Sequence, residues 1–67
     1  MTGQLSSREV EVLTLAARGL SDKEIATSLG IATRTARNHV TNIYTKLGIH
    51  GRAAAAIHAV RMGLVEV

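Results

Sequence analysis

Four glycines constrain this chain more than any other feature. Gly19, Gly30, Gly48 and Gly63 each follow a stretch in which apolar residues recur at helical spacing, where a left-handed C-terminal cap belongs. Gly51 stands instead just ahead of such a stretch, and there is no proline. The punctuation predicts an all-α chain of four helices, at about 7–18, 22–29, 33–47 and 52–62. Composition points the same way. One tyrosine is the only aromatic residue among 67, so the core is built from Leu, Ile, Val and ten alanines, which suits close-packed short helices better than a sheet.

The helices have their own local signals. Ser6 and Glu9 stand at capping-box spacing ahead of the first, and Ser21 and Glu24 repeat the pattern ahead of the second. In the first helix Ser7, Glu11, Thr14 and Arg18 form one polar stripe, and the rest of its circumference is apolar, as expected of a helix packed on more than one neighbour. Ile25, Ala26 and Leu29 form the buried edge of the second. In the third, Ala36, Val40, Ile43 and Leu47 give an inner stripe, while Arg34, Arg37, Asn38, Thr41 and Thr45 lie opposite. Residues 1–4 read as a tail and residues 5–67 as a single domain. A chain this short buries only about 60% of the surface that its unfolded form exposes. It has no cysteine for disulfides or for a thiolate zinc site. It also has little room for a substrate-enclosing pocket, which argues against an enzyme. No apolar run approaches the roughly 18 residues of a membrane-spanning helix, and there is no signal-peptide pattern.

Charge is distributed unevenly. The net charge is +3, and from Ile25 to Val65 there is no carboxylate side chain, whereas Arg34, Arg37, Lys46, Arg52 and Arg61 all lie there. Such a run gives one side of a folded domain a positive field that favours phosphate; the plain alternative is a solvated surface with arbitrary charges. The segment Ile25-Ala26-x-x-Leu29-Gly30-Ile31 has the mechanics of a helix-turn-helix. Ala26 allows a close helix crossing, Gly30 takes a positive φ, Ile31 plugs the corner, and Thr35 in the next first turn reaches for a phosphate. Two packed helices of an ordinary bundle are the competing explanation.

Leu5-Ser6-Ser7-Arg8-Glu9, Val12-Leu13, Gly19-Leu20-Ser21, Lys23-Glu24-Ile25-Ala26, Leu29-Gly30-Ile31, Thr35, Asn38-His39-Val40, Lys46-Leu47-Gly48, Arg52 and Gly63-Leu64 together resemble the LuxR-type domain. That is the C-terminal helix-turn-helix DNA-binding domain of LuxR, FixJ and NarL-type bacterial transcription regulators, some of them response regulators of two-component systems. The likeness covers about residues 5–65. It implies a four-helix fold whose third helix enters the major groove and whose fourth is a dimer interface. Carried over by position, Arg37, Asn38 and Thr41 contact base edges, Arg37 gripping guanine and Asn38 pairing with adenine. Lys23, Arg34, Thr35 and Lys46 fall at positions that contact backbone phosphates. The resemblance also implies a cytoplasmic, nucleoid-associated protein with double-stranded DNA as its partner. A weak homodimer on inverted half-sites and RNA polymerase are further partners it implies, with no cofactor, metal or membrane. The domain corresponds to the output half of such regulators, either excised behind an added Met1 or standing alone.

Several positions depart from the family pattern. Ala32 replaces the Ser or Thr that caps the reading helix, so Thr33 is expected to take over that role one residue later. Ala36 replaces valine, and Ala53-Ala54 replaces a common Thr-Gln pair. On the fourth helix Ala55 and Ala59, with Met62, pack inward on one reading, leaving Ala53, Ala56, Ile57 and Val60 for a second copy; on another reading all are core or surface alanines. His39, His50 and His58 are separated by eleven and eight residues and have no carboxylate near them in sequence, which does not make a metal site. His39 matches a position that packs the reading helix on its neighbours. Glu9 and Glu11 point to different sides of one helix, so they are not an acid–base pair; Glu9 is assigned to capping, with a partner such as Arg52. Two other functions share the pattern. One is the promoter-reading, region 4-like module of a sigma factor, disfavoured by the alanine-rich helix after Gly48. The other is a helical protein-binding adaptor without DNA affinity.

Overall fold

In the computed structural model, which describes residues 5–66, the elements are α1 (Ser7–Ala17), α2 (Asp22–Leu29), α3 (Thr33–Leu47) and α4 (Arg52–Arg61). No strand occurs among the described residues. The tail expected at residues 1–4 lies outside the described residues. α1 and α4 each end one residue earlier than their periodicity predicts. Arg18 and Met62 serve as their C-caps, with φ and ψ of −80° and −1°, and −83° and −2°.

Both capping boxes form. Ser6 Oγ accepts from the Glu9 N–H at 3.1 Å while Glu9 Oε1 accepts from the Ser6 N–H at 2.8 Å. Ser21 and Glu24 repeat this at 3.2 and 2.8 Å. All four helices end in the same way. Gly19, Gly30, Gly48 and Gly63 each have positive φ, and the residue after each one donates back across the last turn. Leu20 reaches Leu15 O, Ile31 reaches Ala26 O, Ile49 reaches Tyr44 O, and Leu64 reaches Ala59 O, at 2.9–3.2 Å. With the glycine's own bond one position inside, this is the Schellman motif. In every case the residue after the glycine is apolar and packs against the core. At Gly30 the conformation matters most, because φ of 69° turns the chain from α2 into α3; a Cβ there would cost about 1–2 kcal/mol of backbone strain.

α1 is the centre of the assembly, in contact with each of the other three helices, and α2 packs on α3. Val12, Leu13, Ile25 and Ile43 are the largest fully buried side chains. Among the described residues, five of the ten buried core residues are alanines: Ala16, Ala26, Ala36, Ala55 and Ala59. With no bulk to hold them apart, the helices approach closely, and the core gains by contact what it lacks in side-chain volume. Ala55 and Ala59 are fully buried, and Met62 packs against the same cluster.

Candidate nucleic-acid interface

α3 presents two opposite faces. Ala36 and Ile43 are buried, with Val40 and Leu47 half-buried beside them. Arg34, Arg37, Asn38, Thr41 and Thr45 are exposed on the other side. Steps of three and four residues put Arg34, Arg37, Asn38, Thr41 and Thr45 on one continuous stripe about three turns long. The Thr45 hydroxyl folds back to donate to Thr41 O at 3.0 Å, so the freer donors and acceptors lie towards the N-terminal half.

The N-terminus of α3 differs from those of α1 and α2. Ala32 is the N-cap, with extended φ and ψ of −70° and 149°, and no side chain caps the helix. Thr33 does not take over the role expected of it. The cap must be the last extended residue, and Thr33 is already the first helical one. The N–H groups of Thr33, Arg34 and Thr35 thus face outward without an intrahelical acceptor, and the first turn has no acidic residue. Both conditions favour an anion. Thr35 and Arg34 are exposed in that turn, and Lys23 is exposed in the first turn of α2.

Lys46 stands apart from the others. Its ammonium donates to Glu9 Oε1 at 2.8 Å and to Oε2 at 3.0 Å, tying the end of α3 to the start of α1. The Glu9 carboxylate, in a residue only 6% exposed, is held below its ordinary value of 4.5 first by the Lys46 hydrogen bond and then by the Ser6 N–H. Arg52 is therefore not the partner of Glu9. Its Nη1 donates instead to Leu20 O at 2.6 Å and Ala16 O at 3.3 Å, and its Nη2 lies 3.8 Å from Asp22 Oδ1. Position in the fold decides this: Arg52 opens α4 beside the far end of α1, whereas Glu9 is at the near end. Asp22 has a second cation, since Arg37 Nε donates to its Oδ2 at 3.3 Å. No local sequence pattern marks Asp22 as a partner of Arg37 or pairs Arg52 with these carbonyls. The sequence signal for Asp22 is that it and Glu24 are the last two carboxylates before the carboxylate-free run.

On α4, Ala56, Ile57, Val60 and Arg61 line a shallow groove of about 340 Å³, and Ile57, 53% exposed, is the one large hydrophobic residue left exposed among the described residues. Ala53 is exposed at the start of the same helix. Among the described residues no three His, Asp or Glu side chains come together as a metal site, and no helix is long and apolar enough to cross a membrane.

A tight α2–turn–α3 pair, a basic exposed face on α3 and an uncapped helix N-terminus define a helix-turn-helix DNA-binding domain. Comparison with known proteins places it more narrowly. The family described as bacterial regulatory proteins, luxR family, matches residues 3–59, and the chain belongs to that family. It is a DNA-binding domain of the kind found in transcription regulators and is not an enzyme. The spore germination protein GerE of Bacillus subtilis (strain 168) is 43% identical over 63 residues, covering 94% of this chain and 85% of that protein. The transcriptional regulatory protein LnrK of the same organism is 48% identical over 60 residues, covering 90% of this chain but 27% of LnrK. The response regulator protein VraR of Staphylococcus aureus (strain NCTC 8325 / PS 47) is 40% identical over 62 residues, 92% of this chain and 30% of its own length. This chain thus spans under a third of those two regulators and most of GerE. The solved structure of the transcription factor GerE superposes with a TM-score of 0.78 at 39% identity, covering 91% of each chain.

Proposed function

We propose that the domain reads a specific double-stranded DNA sequence by laying α3 in the major groove, with its N-terminal half against the base edges. The observation that carries this is the exposed stripe from Arg34 to Thr41, which bears no carboxylate of its own, on the second helix of a helix-turn-helix. Arg37, Asn38 and Thr41 contact bases. Lys23, Arg34 and Thr35 contact phosphates, supported by the open N–H groups of the first turn of α3. Lys46 contributes a phosphate contact with the donor capacity that Glu9 leaves it, an ammonium having three N–H groups.

The domain works as a weak dimer, with Ala53, Ala56, Ile57 and Val60 of α4 facing a second copy. Two copies on inverted half-sites about one helical turn apart multiply contacts that one small domain cannot supply alone. It acts on the nucleoid in the cytoplasm, as the output half of a regulator that cooperates with RNA polymerase. In a longer protein, a sensor half would govern the exposure of α3 and α4.

Fluorescence anisotropy against a mixed-sequence duplex pool tests the basic claim. Non-specific binding should fall at about 10⁻⁴–10⁻⁶ M at physiological salt and strengthen steeply as salt is lowered. No binding at low salt and high protein concentration would remove DNA as the partner of this chain and favour the adaptor reading. On a duplex selected from the pool, Arg37→Ala should cost roughly 1–3 kcal/mol at one base position. Lys46→Ala should weaken all sequences alike and lower the salt slope by about one unit. Identical behaviour of the two variants on every sequence would show that base and phosphate contacts are wrongly assigned.

A further inference from the structure

Among the described residues, the one acidic side chain paired with the exposed stripe of α3 is Asp22. Its Oδ2 accepts from Arg37 Nε at 3.3 Å, and its Oδ1 lies 3.8 Å from Arg52 Nη2. Arg52 is itself anchored, its Nη1 donating to the carbonyls of Leu20 at 2.6 Å and Ala16 at 3.3 Å, which close the C-terminal end of α1. A string of contacts therefore runs from the end of α1 through the first residue of α4 and the first residue of α2 to a side chain in the second turn of α3. Asp22 is 28% exposed along its side chain and Arg37 67%. Asp22 is thus the more buried member of its pair with Arg37, and it lies within ion-pair distance of the anchored Arg52.

We propose that Asp22, held by Arg52, is a positioning residue that sets the base preference exercised by Arg37. The chemistry follows from which nitrogen is used. A guanidinium offers two donor edges, one made of Nε and an Nη, the other of the two Nη groups. Asp22 occupies Nε, which leaves the two-Nη edge for guanine O6 and N7. A free arginine has many rotamers and is also drawn to any nearby phosphate. One tethered at Nε loses that freedom before DNA arrives and presents its fork in one orientation. The negative charge of Asp22 also disfavours a phosphate beside the same arginine, which biases Arg37 towards a base rather than the backbone. An exposed ion pair contributes little to stability. The effect of the string is on discrimination between base pairs.

This inference rests on Arg37 being a base contact, and the experiment separates the two ideas. The probe is a duplex selected from a randomised pool by the unaltered chain, together with its single-base-pair variants. Affinities are measured for the wild type, Asp22→Asn, Arg52→Lys, Arg37→Ala and the Asp22→Asn/Arg37→Ala double variant. Far-ultraviolet circular dichroism shows that each is folded. Asp22→Asn should reduce the preference for guanine at a single base pair by about three- to tenfold, part of the roughly 5- to 150-fold a bidentate pair supplies. That base pair should be the one Arg37→Ala flattens, with no further loss in the double variant. Affinity for unrelated duplex should stay the same or rise, because a negative charge has gone. Arg52→Lys, which keeps the charge but not the fork, should lower the same preference by less. If Asp22→Asn strengthens all duplexes equally and leaves every base preference intact, Asp22 is only a repulsive charge. If it sharpens the preference, the pair restrains Arg37 instead of aiming it; either result overturns the proposal. If Arg37→Ala flattens no base pair, the reading of Arg37 itself fails, and Asp22 with it.

Discussion

At Glu9 a single carboxylate both closes a capping box and holds a cation from another helix. Oε1 takes both the Ser6 N–H and the Lys46 ammonium at 2.8 Å, and Oε2 takes Lys46 again at 3.0 Å. A carboxylate so enclosed survives burial because both of its oxygens accept hydrogen bonds, one of its donors being a cation. Its pKa is lowered by Lys46 and by the Ser6 N–H, and that of Glu24 is lowered by the backbone and hydroxyl of Ser21. The sign of the consequence follows from linkage. Below the ordinary value of 4.5 the unfolded chain takes up these protons before the folded one does, so folding stability is fully present above that value and falls as pH drops through the lower, folded values. We expect urea midpoints to be flat above about pH 6 and to decline below about pH 4.5, with a shallower decline in Glu9→Gln, whose own midpoint at neutral pH is lower. An acid limb of equal steepness in the two proteins would mean that Glu9 is not a source of the pH dependence. Lys46→Ala should lower the neutral-pH midpoint as well, a cost separate from the effect on DNA proposed for it.

Among the elements, α3 and α4 both start without a side-chain cap, at Ala32 and Gly51, and of the two α3 carries the exposed basic stripe. α1 and α2 both begin with a reciprocal Ser–Glu box, whereas α3 begins at Ala32 with none. The serine boxes satisfy two donors each and add acidic charge to the first turn. α3 has neither, and its orphan N–H groups stay open to an anion. Ala32→Ser restores the missing acceptor. It should stabilise the free domain by about 1 kcal/mol, a rise in Tm of about 4–8 °C for a chain of this size. Thermal unfolding followed at 222 nm (the helical band) checks it, and an unchanged Tm would show that those N–H groups already have a partner. The element ends, by contrast, all follow one rule. A glycine at positive φ is followed by Leu20, Ile31, Ile49 or Leu64, and each of these turns back onto the core.

For the molecule as a whole, the helices divide the work by face. α1 is enclosed by the others, α3 turns its basic side outward, and α4 turns Ala55 and Ala59 inward while leaving Ile57 exposed. A large aliphatic side chain more than half exposed, set in an apolar groove with Ala56 and Val60, is the place where a second copy would bury surface. Ile57→Asp should leave the helical spectrum intact, remove any concentration-dependent dimer in sedimentation, and reduce affinity for a two-half-site duplex towards that for one half-site. Unaltered sedimentation together with unaltered cooperativity on DNA would place the dimer contact elsewhere or show that one copy binds alone.

The helices, their caps and their buried stripes were legible in the sequence because each depends on residues within one turn of one another. Ser6 with Glu9, Ser21 with Glu24, Gly30 with Ile31, and the spacing of Ala36, Val40 and Ile43 are all settled by backbone geometry that a linear pattern encodes. The motifs around Gly30 and Asn38 likewise carried the family, and the family carried DNA. Tertiary structure decided which charges meet. Lys46 is 37 residues from Glu9, Arg52 is 36 and 32 from its carbonyl partners, and Arg37 is 15 from Asp22. Such pairs form only after helix packing has fixed the crossing angles and brought particular ends together. The same packing rejected Arg52 as the partner of Glu9, while local backbone at Ala32 denied Thr33 its cap.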